Sequence, residues 1–292
     1  MPPAPLLCVC IKPAVRTDVH LRLDEAGHAP RADEVLRAAN AADLAALQLA
    51  LSLRGRHAEL RVLALSVGAP AAEGVLREAL AAGADEALRA WGGAWPDDAG
   101  TFDGSADSTQ AHAVAAAELL RPRAPLLVLT GERSADRGNE CFGAFLAAAL
   151  GAAFAHRVTE VRREDAGWRV TARLERGYGQ ELALASPAVV TVSAQLPKPG
   201  HAALPAWLAS REAAVPLVAV DAPPPPAVST RLRVPVPRVK RTHAPQPGLS
   251  AEQRIQAMVT LEARGGGTVL GGEPPEALAD AMLRLLHERG YL

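Results

Sequence analysis

Residues 126–150 read LLVLTGERSADRGNECFGAFLAAAL. An apolar run ends at Gly131, a string of polar, small and charged residues follows, and the chain then opens into an amphipathic helix. A strand feeding a helix N-terminus through such a loop presents backbone N–H groups and the positive end of the helix dipole to an anion, such as a nucleotide phosphate. In the loop Ser134 and Asn139 can donate hydrogen bonds, Arg133 and Arg137 carry charge, and Gly138 admits an unusual backbone angle. Asp136 is expected to bind a hydroxyl or to fix the loop. In the plainer alternative Asn139 caps the helix and the arginines are solvated; spacing does not choose between the two.

The segments around it set the fold. Residues 6–11 (LLCVCI) form a short apolar run, the mark of a strand buried on both faces. Asn40 precedes Leu44, Leu47 and Leu51 at helical spacing; it can cap that helix, with Asp43 in the first turn and Gly55 as the stop. Residues 61–66 (RVLALS) read as a second strand. The Val67-Gly68-Ala69 turn and Pro70 then start a helix with Val75, Leu76, Ala79 and Leu80 toward the core, ended by Gly83. Residues 85–90 make a short third strand, 92–108 an exposed insertion, and 110–120 a helix before LLVLT. Phe142, Phe145, Leu146 and Ala149 form one stripe on the next helix, closed by Gly151.

This alternation predicts an α/β fold, a doubly wound and mostly parallel sheet. The pattern then changes. Residues 156–164, 168–175, 180–184 and 188–194 are β-like, which predicts a small antiparallel β addition over 156–184, with AVVTV (188–192) apolar enough to re-enter the main sheet. Residues 1–221 thus read as one nucleotide-binding domain. Residues 222–249, with PPPP at 223–226 and a basic run, read as an extended linker, and 250–292 as a helical arm. In the arm Ser250 caps a helix to about residue 263, a Gly265-Gly266-Gly267 turn and a short strand follow, and a last helix covers 274–289. The arm either docks on another subunit or folds back on its own domain.

Composition narrows the function. The 292 residues carry 31 Lys and Arg against 32 Asp and Glu, a net charge of −1, so no global field argues for nucleic acid or a membrane surface. Aromatics are only 3%, so Ala, Leu and Val must fill the core. Cys8, Cys10 and Cys141 do not make a disulfide framework; Cys8 and Cys10 share one strand face and read as small buried apolar groups. The eight histidines lack metal-ligand spacing, so no metal site is expected. No signal-type N-terminus or 18-residue apolar run is evident, which predicts a soluble, cytoplasmic chain without membrane insertion. GxxxxGK[ST], GxGxxG after a strand and GxSxG are missing, and no nucleophile stands with a base, so no catalytic site is expected.

Ligands of doubly wound sheets bind outside the carboxyl ends of the strands. Residues 10–17, 66–68 and 131–142 converge there, with 40–43 beside them. Taken in order, CVCIKPAVRTD (8–18), NAADLAALQLALSLRG (40–55), LALSVGAPAAEGVLREALAAGADEALR (63–89), LVLTGERSADRGNECFGAFLAAALG (127–151) and SPAVVTVSAQLPKPGHAALPAWL (186–208) resemble the β subunit of electron-transfer flavoproteins.

The resemblance, over about residues 6–217, implies the adenine-nucleotide hydrolase-like sheet and a non-catalytic half of a heterodimer. It implies an FAD held mainly by an α subunit, a flavin dehydrogenase as electron donor and a membrane quinone reductase as acceptor. It also implies a structural AMP in this subunit, or a second FAD in bifurcating relatives. Carried over by position, it places Cys10, Asn40, Ala41, Ala42, Asp43 and Val67 on the nucleotide pocket. The loop residues Gly131, Arg133, Ser134, Asp136, Gly138, Asn139, Glu140, Cys141 and Phe142 fall there too. Thr17 falls near the partner's flavin, and Leu204 at an apolar anchor for the dehydrogenase. Cys141 and Phe142 depart from the polar residues common in the family, Ala41-Ala42 from the frequent Pro-Phe, and Glu212 from a lysine. Two other readings suit such a sheet: an ATP-using adenylating or pyrophosphatase enzyme, and a stress-protein-like nucleotide sensor.

Overall fold

The computed structural model describes residues 4–16, 18–20, 22, 35–92, 95, 109–165, 167–221, 248, 250–259 and 274–288. The chain divides into two units, Met1–Val234 and Pro235–Leu292.

In the first unit the strands are β1 (Leu6–Cys10), β2 (Pro13–Val15), β3 (Arg37–Ala39), β4 (Arg61–Val67), β5 (Glu86–Gly92), β6 (Leu127–Gly131), β7 (Ala153–Glu164), β8 (Gly167–Arg173), β9 (Gly179–Ala185), β10 (Ala188–Val192) and β11 (Leu217–Val220). The helices are α1 (Ala41–Arg56), α2 (Ala72–Ala82), α3 (Thr109–Leu120), α4 (Phe142–Leu150) and α5 (Leu204–Glu212). Among the described residues the main sheet has nine strands in the order β11-β5-β4-β1-β6-β10-β7-β8-β9. The strands from β11 to β7 run parallel, and β8 and β9 continue antiparallel. Because β1 pairs with β4 on one side and β6 on the other, the winding reverses at the centre. That reversal opens a crevice at the strands' carboxyl ends.

Strand alternation builds two cores. Leu7 and Val9 face a layer that includes Leu47, Ala50 and Leu53 of α1 and Val75, Leu76 and Ala79 of α2. Cys8 and Cys10 face the opposite layer, with Ala113, Ala116, Ala117 and Leu120 of α3 and Leu146 of α4. The alanines let α3 lie close to the sheet where large side chains would hold it away.

Some expectations need correction. Of the expected α4 stripe, Leu146 is buried and Phe142 and Ala149 pack against that core, but Phe145 is exposed and Gly143 and Ala147 are buried instead. Gly143 causes this: a Cβ there would sit 2.5 Å from Thr191 Cγ2, so the helix rests on β10 through its glycine and Phe145 turns outward. The expected antiparallel addition is present: β7 begins at Ala153, pairs in parallel with β10 and carries β8 and β9 antiparallel at the edge of the same sheet. Trp168 Nε1 secures that addition by donating to Leu126 O (3.1 Å) and Ser186 Oγ (3.0 Å). Of the expected exposed insertion, Gly92 and Trp95 are buried, and the rest lies outside the described residues.

The antiparallel β2–β3 pair, helix α5 and the edge strand β11 leave no clear signal in the sequence. All three are short, and α5 and β11 are largely exposed, so neither shows a clear apolar period.

In the second unit α6 covers Ala251–Val259 and α7 covers Pro275–Glu288. Ser250 and Gln253 form a reciprocal cap at the start of α6: the Gln253 N–H donates to Ser250 Oγ (3.2 Å), and the Ser250 N–H to Gln253 Oε1 (3.0 Å). The linker, apart from Gly248, and the expected turn and strand between the two helices lie outside the described residues.

Candidate functional site

A cleft of about 460 Å³ opens where β1, β4, β5 and β6 end. Its walls come from the segment after β1, the 67–72 turn, the loop after β6, and the first turns of α3 and α4.

The first turn of α1 organises it. Asn40 lies where a cap would, yet its side chain makes no capping bond. Its Nδ2 donates to Arg133 O (2.9 Å) and its Oδ1 accepts the Ala135 N–H (3.1 Å), so Asn40 holds the loop after β6 instead of the helix. Asp43 holds the two strand ends: Oδ2 accepts the Lys12 N–H (2.8 Å) and Oδ1 the Gly131 N–H (2.9 Å). Burial pushes the Asp43 carboxyl up to about 6, against the pull of those N–H groups, Asn40 and Lys12. Ala41 and Ala42 supply the backbone of this turn without lining the cleft. Gly131 makes the close approach feasible, since a Cβ there would lie 2.3 Å from Asp43 Oδ1 and 2.7 Å from Ala42 Cβ.

The loop after β6 is tied internally. Ser134 O accepts the Gly138 N–H at 3.0 Å, with Gly138 at φ 64°. Asp136 accepts from Lys12 Nζ (2.7 Å), the Arg137 N–H (2.8 Å) and the Val15 N–H (3.3 Å). Burial raises the Asp136 carboxyl, but Lys12, Ser134 and Val15 together bring it below its usual value, so it is a charged tether of the loop. Asn139 Nδ2 donates to Thr109 Oγ1 (3.1 Å) at the start of α3 and does not cap α4. Glu140, at φ 57°, stands 3.8 Å from Arg133. Cys141 is exposed, with its thiol on Asn139 O (2.9 Å), and Phe142 opens α4. The first N–H groups of α4 have no intrahelical acceptor, and with Lys12, Arg133 and Arg137 nearby they could receive an anion.

Of the residues singled out from sequence, Cys10, Asn40, Asp43, Val67, Gly131, Arg133, Ser134, Asp136, Asn139, Glu140, Cys141 and Phe142 share this cleft. Cys10 is a neutral part of the wall, its thiol pushed well above the usual range by a hydrogen bond with Cys8 and by burial. Gly138 shapes the loop without lining the cleft. Thr17 lies outside the described residues. Leu204 stands apart on the first residue of α5, with two thirds of its surface exposed (66%). Sequence reasoning missed Lys12 as the loop tether, and Trp91, Thr109 and His112 as cleft wall. The rule that ligands sit at strand carboxyl ends pointed equally to Trp91 at the end of β5.

Residues 32–223, well over half the chain, match the model of the electron transfer flavoprotein domain. The chain belongs to the electron transfer flavoprotein family. Among its relatives are electron transfer flavoprotein subunits beta. That of Methylophilus methylotrophus is 26% identical over 203 residues, 68% of this chain and 73% of the relative. That of Bradyrhizobium diazoefficiens is 27% identical over 201 residues, 68% and 74%. The caffeyl-CoA reductase-Etf complex subunit CarD of Acetobacterium woodii is 29% identical over 166 residues, 56% and 58%. The span matched to the electron transfer flavoprotein domain contains every described wall of the cleft except the segment from Cys10 to Val15. Among the described residues no helix is long and apolar enough to cross a membrane.

Proposed function

We propose that this chain is the β subunit of a heterodimeric electron carrier of the electron transfer flavoprotein family, with AMP seated in the cleft and FAD held mainly by an α subunit. One observation carries the reading: the Asn40–Asp43 turn fixes the end of β1 and the loop after β6 around one cleft that ends in an anion seat. Its volume, about 460 Å³, suits a small-molecule site. The residues fit an adenylate in chemistry as well as size. Lys12, Arg133 and the start of α4 at Phe142 would meet the phosphate, and Cys10, Val67 and the Phe142 ring would give apolar surface to the base.

In this reading the redox chemistry belongs to the flavin. The chain's own residues bind and orient. Asn40 and Asp43 hold the loops in register, Asp136 keeps Lys12 beside the anion seat, and Leu204 offers an exposed apolar anchor to a flavin dehydrogenase. Electrons pass from that donor toward a membrane quinone reductase, and the carrier works in the cytoplasm. Co-production with the α subunit tests the pairing: the two copurify as a yellow heterodimer with about one FAD. A colourless chain that ignores its α partner contradicts the reading.

A further inference from the structure

We propose that Trp91 and His112 form a stacking wall for the base of the bound nucleotide and set the cleft's preference for a purine. This inference rests on the nucleotide reading above and adds the residues that would choose among nucleotides.

The wall is built from two elements. β5 ends at the cleft, where the Gly68 N–H of the 67–72 turn donates to Ala90 O (3.1 Å) and fixes the strand that carries Trp91. α3 brings Thr109 and His112, one turn apart on the same helix face, to the same cavity. The Trp91 and His112 rings lie within 24° of parallel, their centroids 6.5 Å apart. Trp95 stands across both, at 73° and 5.0 Å from Trp91 and at 64° and 5.1 Å from His112. Trp91 and His112 line the cleft and Trp95 does not, so Trp95 supports the pair from behind.

Two further observations separate this wall from ordinary aromatic packing. Trp168, which joins β8 to the sheet, gives its indole N–H two acceptors, Leu126 O and Ser186 Oγ. Trp91 Nε1 is buried and has no hydrogen-bond partner among the described residues, an arrangement that structural tryptophans usually avoid. The Asn139–Thr109 hydrogen bond also ties the helix that carries His112 to the anion-binding loop. One cavity therefore joins a polar region, where Lys12 pairs with Asp136 and Arg133 with Glu140 at the start of α4, to an aromatic one. A purine offers more stacking area than a pyrimidine, and a sugar phosphate offers none.

Calorimetry on the nucleotide-stripped heterodimer, with AMP, UMP and ribose 5-phosphate as probes, tests the wall. The wild type is expected to bind AMP more tightly than UMP, and UMP more tightly than ribose 5-phosphate. Trp91→Leu and His112→Ala each weaken AMP about tenfold and leave ribose 5-phosphate unchanged, whereas Trp91→Phe and His112→Phe, which keep a ring, stay near wild type. The wall is overturned if the leucine and alanine variants leave AMP binding intact. It is also overturned if AMP and ribose 5-phosphate weaken in parallel, or if the phenylalanine variants fail as badly as the others. A wild-type heterodimer that binds no AMP overturns the nucleotide reading itself, and the wall with it.

Discussion

Asp43 Oδ1 accepts the Gly131 N–H at 2.9 Å, and the glycine lies so close that a Cβ would come within 2.3 Å of the same oxygen. One contact thus joins the first turn of α1 to the end of β6, and it tolerates no side chain at position 131. Gly131→Ala is expected to cost about 1–3 kcal/mol by overpacking and to loosen the loop that follows. Urea denaturation gives the stability and AMP titration the consequence. A variant as stable as wild type with unchanged affinity would show that the contact yields easily.

Asp43 also makes stability depend on pH. Its carboxyl stands near 6 in the folded chain against 3.8 in the unfolded one, so the folded state binds the proton more tightly. The resulting stabilisation is fully present below about pH 4 and lost as pH rises through about 6, on the order of 3 kcal/mol. Asp43→Asn cannot titrate there. The stability of wild type relative to the variant should therefore fall between pH 4 and pH 6.5 and level off above. A difference that stays flat across that window contradicts a raised Asp43.

Lys12 reaches Asp136 at 2.7 Å, with the ammonium partly exposed and the carboxylate nearly buried. A partly solvated pair adds little to global stability, so Lys12→Met should cost less than about 1 kcal/mol. Its effect should fall on the site, because the loop loses a tether and the anion seat a charge. AMP should bind several-fold more weakly, and the loss should shrink as salt is added. A large stability loss with unchanged AMP binding would make the pair a structural brace.

Leu204 is exposed on α5 near the exposed Trp207 and Leu208. Leu204→Ala should leave stability within about 0.5 kcal/mol, since the side chain has little packing to lose. Stopped-flow reduction of the heterodimer by its dehydrogenase should slow about tenfold if the leucine is the docking anchor. Unchanged kinetics would place docking elsewhere.

Much of this arrangement was legible in the sequence, for physical reasons. The short apolar run 6–11 reads as a strand covered on both faces, and Leu7 to Ile11 are buried. The loop after β6 announces itself through Gly131 and Gly138, which mark a close approach and a left-handed turn. What stayed hidden depends on long-range contacts. Asn40 has the residue type and place of a helix cap, and only the fold shows its amide spanning to Arg133 and Ala135. Phe145 fits an inward stripe by spacing, yet the close seat of Gly143 on Thr191 rotates it out. Trp91 and His112 are distant in sequence, so no local pattern joins them.

In the proposed carrier the clasped cleft holds an adenine nucleotide beside a flavin-bearing partner. Mass spectrometry of the nucleotides released from the copurified heterodimer tests it most directly. The account predicts AMP and FAD in about equal amounts. FAD without AMP or any second nucleotide would contradict the assignment of the cleft, and a purified pair releasing no nucleotide at all would contradict the whole account.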